Sequence, residues 1–479
     1  MPARYFNREE FVRMNLDRYI DEHKEEIIRS VQEIVRIPSV EGPALPGKPF
    51  GREVDEALRK TLELAESLGF RVKNVDGYAG HAEFGEGEET MGILGHLDVV
   101  PEGSGWTYPP YEARIVDGKI YGRGTQDNKG PMIGALYAMK AVMESGRKMK
   151  RKVRIIFGTD EESGWEDMAY YFKKEPIPDF GVSPDADYPV INVEKGIATF
   201  KLKKKFASDD CSAVKIRTII GGHRPNMVPD ECRCCFLPTG DQDKILNHLH
   251  SMKQFSDYDL SAGFCEDSGV EVIAKGVSAH GSIPEKGKNA IAHMLAFLCT
   301  MGLGNSEMEQ FLLFLNNRIG TDTTGKGLNL DLEDKVSGRL TLNLGTISVD
   351  QNQGEAVINI RYPVTFSEQQ IKDKVLSALE GSGIEVEFMD FVPPLHVPEE
   401  GFLIETLKKV YTEKTGQPAK ALAIGGGTFA RAIKNAVAFG PAFPGRPEVA
   451  HEKDEYISID DLILHTKIYA HAIAALCCE

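Results

Sequence analysis

Two short apolar runs, residues 91–94 and 153–157, constrain this chain most. Each is followed by a glycine and then by polar residues suited to chemistry, Gly95-His96-Leu97-Asp98 after the first and Gly158-Thr159-Asp160-Glu161-Glu162 after the second. Both read as short buried strands closed by turns. Between them residues 131–143 read as a helix with Pro131 near its start. Residues 13–36 and 52–69 show helical spacing, with Leu16, Ile20, Ile27, Ile28, Val31, Ile34 and Val35 forming one stripe. Strand, turn, helix, strand is the order of an α/β layer, whose ligand sites lie at strand ends.

After residue 194 the texture changes to charged, alternating strands (199–205 and 214–220), and this region repeats itself. Asn226-Met-Val-Pro-Asp-Glu-Cys-Arg-Cys-Cys-Phe followed by a helical segment at 241–249 lines up with Asn352-Gln-Gly-Glu-Ala-Val-Ile-Asn-Ile-Arg-Tyr followed by 367–379. The same spacing separates Asn226 from Asn352 and Cys235 from Arg361. A duplicated strand-helix unit is the simplest account. The helical, Gly-rich pattern of the first region returns near Pro393, so the repeated unit is expected to be inserted into the first.

Composition bounds the function. A hydrophobic share of 42% supports real cores and argues against a disordered chain. The formal net charge of -16 disfavours a nucleic-acid partner, which needs a positive footprint. The 8 cysteines form no evenly spaced disulfide framework, and the amino terminus is charged throughout, without the apolar core of a signal peptide. No apolar stretch reaches the roughly 18 residues of a membrane span. The expectation is a soluble, cytoplasmic protein without a membrane partner.

Several loops carry candidate chemistry. In Gly95-His96-Leu97-Asp98, residues two apart on an extended chain point the same way, so Asp98 can support an imidazole that binds a metal; a capping histidine beside a turn aspartate is the other reading. Asp127, in the Gly-rich turn 121–131, is a metal ligand or a helix cap. Glu161 and Glu162 sit in an acidic loop after a core strand, where clustered carboxylates call for a cation or a proton unless they are solvated. Adjacent glutamates splay apart, so one can ligate a metal while the other acts as general base. Asp185, in a Pro-Asp turn, and His451, in Ala450-His451-Glu452, are individually weak signals. Together, two histidines and several acids after core segments could converge on two divalent ions bridged by a carboxylate. Two motifs are decoys. Gly320-Thr-Asp-Thr-Thr-Gly325-Lys326-Gly327 lacks the hydroxyl of a P-loop and follows a helix rather than a strand. Cys232, Cys234 and Cys235 align with an ordinary strand of the second repeat and read as buried structural thiols.

The ordered set Gly-His96-Leu-Asp98, Gly-Arg-Gly-Thr-Gln-Asp127-Asn-Lys-Gly, Asp-Glu161-Glu162-Ser-Gly, Pro-Asp185-Ala, Ser-Ala-His280-Gly, Gly425-Gly-Gly-Thr-Phe-Ala-Arg431 and Ala-His451 resembles the aminoacylase and carboxypeptidase G superfamily of co-catalytic zinc peptidases. It is most similar to the dipeptidase V (carnosinase-like, Xaa-His dipeptidase) branch. The resemblance spans nearly the whole chain. It implies an α/β fold: a discontinuous catalytic domain, residues 1–193 and 392–479, built as a mixed sheet flanked by helices, with an inserted, internally duplicated α+β lid at 194–391. It implies two zinc ions per chain, cobalt or manganese being alternatives: one held by His96, Asp127 and Asp185, the other by Asp127, Glu162 and His451. Glu161 would be the general base, Asp98 the support of His96, and Asp127-Asn128 a cis peptide. His280 would donate to the developing oxyanion. Asn226, Arg361 and the backbone of Gly426 and Gly427 would receive the substrate's terminal carboxylate, for which a guanidinium is suited; a structural salt bridge is the alternative for Arg361.

The implied activity is hydrolysis of short peptides with a free amino end, by a catalytically self-sufficient monomer whose partner is the small peptide substrate. A deacylase for N-acyl amino acids, of the succinyl-diaminopimelate or acetylornithine type, would use the same centre. A metal- or peptide-binding scaffold without catalysis is the reading from a different class.

Overall fold

The computed structural model describes residues 15–207, 215–237, 242–253, 259–264 and 269–479. Residues 13 and 14 of the first helical stripe, Cys211, Val214, Asp241 and Cys265 lie outside the described residues. The fold is mixed α/β in two compact units. The first comprises Met1–Asn192, Val397–Leu422 and Gly427–Glu479, the second Val193–His396 and Ala423–Gly426. The sequence reading put the return to the first unit at 391/392. The chain returns five residues later, and 423–426 group with the second unit.

In the first unit the strands run in the order Arg71–Val75, Ala79–Phe84, Lys152–Gly158, Thr90–His96, Phe180–Ser183, Ala436–Ala438 and Val190–Glu194. Lys152–Gly158, Thr90–His96, Phe180–Ser183 and Ala436–Ala438 are mutually parallel, and the strands outside them are antiparallel. The two apolar runs of the sequence are thus neighbouring central strands, with Met91, Ile93, Leu94, Val153, Ile155, Ile156 and Phe157 at 0% exposure. Near-continuous apolar character, interrupted in the second run only by Arg154, which pairs with Glu83 at 2.9 Å, is what a parallel sheet covered on both faces favours over alternation. Their register pairs His96 with Gly158, so the loops that leave these two strands begin side by side.

The helix Lys129–Glu144 is buried along most of its length and packs on Ile459–Cys477. Gly134 permits the approach, since a Cβ there would lie 2.9 Å from Thr466 Oγ1 and 3.1 Å from His465 Cδ2. The amino-terminal stripe is split into Leu16–Glu22 and Lys24–Val35. The break falls at His23, whose backbone N–H and ring Nδ1 both turn back to the Tyr19 carbonyl, the latter at 2.8 Å. The ring thus adds a second donor to a carbonyl in the last turn of the first helix.

The second unit is an antiparallel sheet in the order Asp259–Phe264, Val270–Lys275, Glu231–Phe236, Ile216–Gly221, Thr341–Val349, Gln353–Tyr362, Gly196–Lys205 and Glu385–Val392. Gly196–Lys205 alternates, burying Ala198, Phe200 and Leu202. The internal repeat is visible as two strand-helix pairs, Glu231–Phe236 with Gln242–Lys253 and Gln353–Tyr362 with Glu368–Leu379. The P-loop-like segment follows the helix Glu307–Arg318, as its sequence implies, and Cys232 and Cys234 are buried within a strand.

Candidate metal centre

The parallel strands of the first unit all point their carboxyl ends to one edge of the sheet, and that edge gathers the candidate residues. His96 is the last residue of its strand and is fully buried. Its ring Nδ1 donates to the Asp98 backbone carbonyl at 2.9 Å, with Asp98 Oδ1 at 3.4 Å behind it. This tautomer turns Nε2 toward Asp127 Oδ1 at 2.8 Å and Asp185 Oδ1 at 3.7 Å. The Asp98 side chain has a second task, since Oδ2 accepts the Glu162 backbone N–H at 3.0 Å and so ties the His96 loop to the acidic loop.

Asp127 faces two ways. Oδ1 meets His96, while Oδ2 lies 3.0 Å from His451 Nε2, which also approaches Glu162 Oε1 at 2.9 Å. The peptide Asp127-Asn128 is cis. The Asn128 side chain accepts from the His96 backbone N–H at 3.3 Å and donates to the Pro184 carbonyl at 2.5 Å and to Asp185 Oδ1 at 3.2 Å. One amide therefore joins three of the loops.

The acidic loop is shaped by its other carboxylates. Asp160 accepts the backbone N–H groups of Gly164 and Glu166, and the fully buried Asp167 accepts those of Thr159, Asp160 and Met168. Trp165 Nε1 donates to the Glu161 carbonyl at 2.7 Å, and its ring packs against Phe429, which in turn meets the His96 ring edge-on.

Among the described residues, two groups of side chains could each hold an ion: His96, Glu161 and Asp185, and His96, Asp127 and Glu162, with ligand atoms within 4.8 Å of one another. The electrostatics fit a cation. Burial, reinforced by the charge of Asp185, raises the Glu161 carboxyl well above its usual range; burial and the charge of Asp127 raise Glu162, and push Asp185 up to about 7. Burial opposes charge on both imidazoles, yet hydrogen bonds to Asp127 and its neighbours raise His96 strongly and lift His451 to about 11. Carboxylates packed this closely demand positive charge between them, and N/O donors of this kind suit zinc, manganese or cobalt.

The five residues proposed from sequence as metal ligands, with Glu161 and Asp98, thus all lie at one edge of the first unit. Gly427 belongs to the same unit, where it approaches Arg431. Asn226, His280, Arg361 and Gly426 belong to the second unit. There a bridge pairs Met227 with His280, the Gly281 N–H donates to the Asn226 carbonyl at 2.7 Å, and His280 Nδ1 is 2.6 Å from Ser282 Oγ. Arg361 is 4% exposed; its Nη1 donates to the Gly425 carbonyl at 3.0 Å and its Nε to Asn359 Oδ1 at 3.1 Å. Sequence reasoning missed Asn128, Asp160 and Asp167, whose contribution depends on burial and hydrogen bonding. The only signal in the sequence was their place inside the motifs or one turn after them.

Histidine and carboxylate donors converging at the strand ends of an α/β sheet, with a further glutamate beside them, define a metal-dependent hydrolase. The chain belongs to peptidase family M20/M25/M40, whose model matches residues 92–475, and is a metallopeptidase. It is 43% identical over 469 residues to the Bacillus subtilis (strain 168) protein named "Putative dipeptidase YtjP", covering 97% of this chain and 100% of that one. Among solved structures it resembles human carnosine dipeptidase 1, with a TM-score of 0.57 at 18% identity over 96% of this chain and 98% of that one. Aminoacylhistidine dipeptidase from Vibrio alginolyticus is similar at a TM-score of 0.57 and 16% identity, covering 93% and 96% of the two chains. Among the described residues no helix is long and apolar enough to cross a membrane.

Proposed function

We propose that the chain is a dipeptidase that binds two divalent ions, zinc in the first instance, and hydrolyses short peptides with a free amino end. The observation that carries this reading is Asp127, whose two carboxylate oxygens each face the Nε2 of a different histidine, His96 and His451. His96, Asp127 and Asp185 would hold one ion, and Asp127, Glu162 and His451 the other. When bound, such ions polarise a peptide carbonyl and lower the pKa of water to about 7.

The chain's own residues supply the rest. Glu161, adjacent to the ligand Glu162 and grouped with His96 and Asp185, takes a proton from the attacking water and delivers it to the leaving amine nitrogen. Asp98 holds the His96 ring in the required tautomer through its carbonyl. His280 is assigned as donor to the developing oxyanion. Arg361, with Asn226 and the backbone of Gly426 and Gly427, is assigned to the terminal carboxylate. Each chain is assigned a complete set of these groups, so a monomer would be active.

The test is turnover of a dipeptide panel beside N-acyl amino acids, before and after chelation, with metal content measured on the same samples. Turnover of dipeptides, lost on chelation and restored by zinc, supports the reading. Turnover of the acylated compounds alone would replace it with a deacylase, and tight metal binding without turnover of either would leave a binding scaffold.

A further inference from the structure

Two charged residues that the proposed chemistry does not use are as deeply buried as any in the first unit. Arg123 is 1% exposed and Glu455 0%, and they form an ion pair at 2.7 Å. Removing both charges from water is costly unless the remaining donors and acceptors are also satisfied. Where those hydrogen bonds go is therefore informative.

Glu455 Oε1 accepts the backbone N–H groups of Gly124 at 3.1 Å, Gln126 at 2.9 Å and Asp127 at 3.1 Å. Oε2 accepts from Gly124 at 3.1 Å and from Arg123 Nη1. The carboxylate thus sits in a cradle of amides whose last member belongs to Asp127. Arg123 reaches the other way. Its Nη2 donates to the His451 carbonyl at 3.2 Å and its Nη1 to the Glu452 carbonyl at 3.3 Å, and the guanidinium carbon lies 5.3 Å from the centre of the Trp106 ring. His451 has a φ of 65°, a left-handed conformation uncommon for residues with a side chain, although histidine visits it more readily than most. One buried pair therefore grips the amide of Asp127 and the carbonyl of His451, the two residues whose side chains face each other at 3.0 Å.

We infer that Arg123 and Glu455 are positioning residues: their ion pair sets the backbone of Asp127 and His451 so that these two side chains can share a divalent ion. The inference rests on reading the centre as a metal site. It assigns the pair to metal affinity, beyond any contribution to overall stability. Hydrogen-bond partners behind metal ligands typically change affinity by about 10–100-fold when altered.

The experiment is titration of the chelator-treated full chain with Co²⁺ alone, followed by the visible absorption of bound cobalt, with thermal unfolding of the metal-free samples in parallel. Glu455→Gln keeps the shape but presents an NH₂ to groups that are all donors. It is expected to weaken at least one cobalt site about 10–100-fold and to alter its spectrum, with Glu455→Asp falling between it and the parent chain. Arg123→Lys keeps the charge and loses the planar fork that spans Glu455 and the two carbonyls. It carries the same expectation if Glu455→Gln does not fold. Wild-type cobalt affinity and spectrum in a folded variant, with only a lower melting temperature, would overturn the inference and leave the metal reading intact. Failure of the unsubstituted chain to bind cobalt would overturn both.

Discussion

Glu161 and Glu162 are neighbours in sequence with separate proposed tasks, and a single substitution can separate them. Glu161→Gln removes the proton acceptor without adding bulk. Turnover should fall by about 100- to 10,000-fold while metal content stays at the parent value, as measured by steady-state kinetics and metal analysis. Equal activity would reject the assigned base. Arg361 offers a second test at this scale. Its guanidinium is held by Asn359 and Gly425, so Arg361→Met should raise KM for dipeptides far more than it lowers kcat, and Arg361→Lys should recover only part of the loss. His96, Glu161 and Glu162 were legible at the ends of buried runs, while Asp127, Asp185 and His451 were legible only as members of the ordered set of motifs. Arg123, Asn128, Asp167 and Glu455 were not. A buried carboxylate that accepts backbone amides looks in sequence like any other acid, and only the folded chain reveals that water is excluded from it.

At the scale of elements, the pairing of His96 with Gly158 does most to create the centre, since it fixes which loops share an edge. The strands were readable because two-sided burial leaves a mostly apolar run, broken only by Arg154, and the repeat was readable because its two strand-helix pairs keep one spacing. The break at His23 was not, because the apolar stripe continues through it. The contact between Lys129–Glu144 and Ile459–Cys477 yields a packing prediction. Gly134→Leu has no room against Thr466 and His465, and should destabilise the chain by about 1–3 kcal/mol in denaturant unfolding.

The same contact has a pH signature. His465 is fully buried, accepts from the Tyr188 hydroxyl at Nδ1 and donates from Nε2 to the Pro131 carbonyl; burial, opposed by the Pro131 bond, pushes it down to about 4. Burial and the charge of Arg154 do the same to His81. A histidine held neutral in the fold keeps its full stabilising effect above the unfolded pKa of about 6.5 and loses it as pH falls from there through about 4. The loss is on the order of 3 kcal/mol for His465. His465→Gln should therefore show a shallower fall in unfolding free energy between pH 7 and pH 4.5 than the parent chain, whatever it costs at pH 7.

For the whole molecule, metal binding and folding are linked. Ions that bind only the folded first unit stabilise it by about 2.7 kcal/mol when free ion stands near 100 times Kd. Chelation should accordingly lower the first calorimetric transition by several degrees, and re-added zinc should restore it. An unchanged scan would contradict the proposed ligand set. The change in texture near residue 194 lies beside the division of the chain at 192/193. The return was read near Pro393, where Pro393-Pro394 punctuates the chain, but the first unit resumes only at Val397, because Leu395 and His396 still pair with Glu194 and Val193 of the second.

The ligand candidates are also spread in time. His96, Asp127, Glu162 and Asp185 leave the ribosome long before His451, and Glu455, which holds Asp127 by its amide, follows later still. A chain in mid-synthesis can build the sheet edge but lacks the residues that would complete it. The proposed peptidase centre is thus assembled only once residues 451–455 have been made, so products of this chain truncated before them would be released without the means to cut peptides.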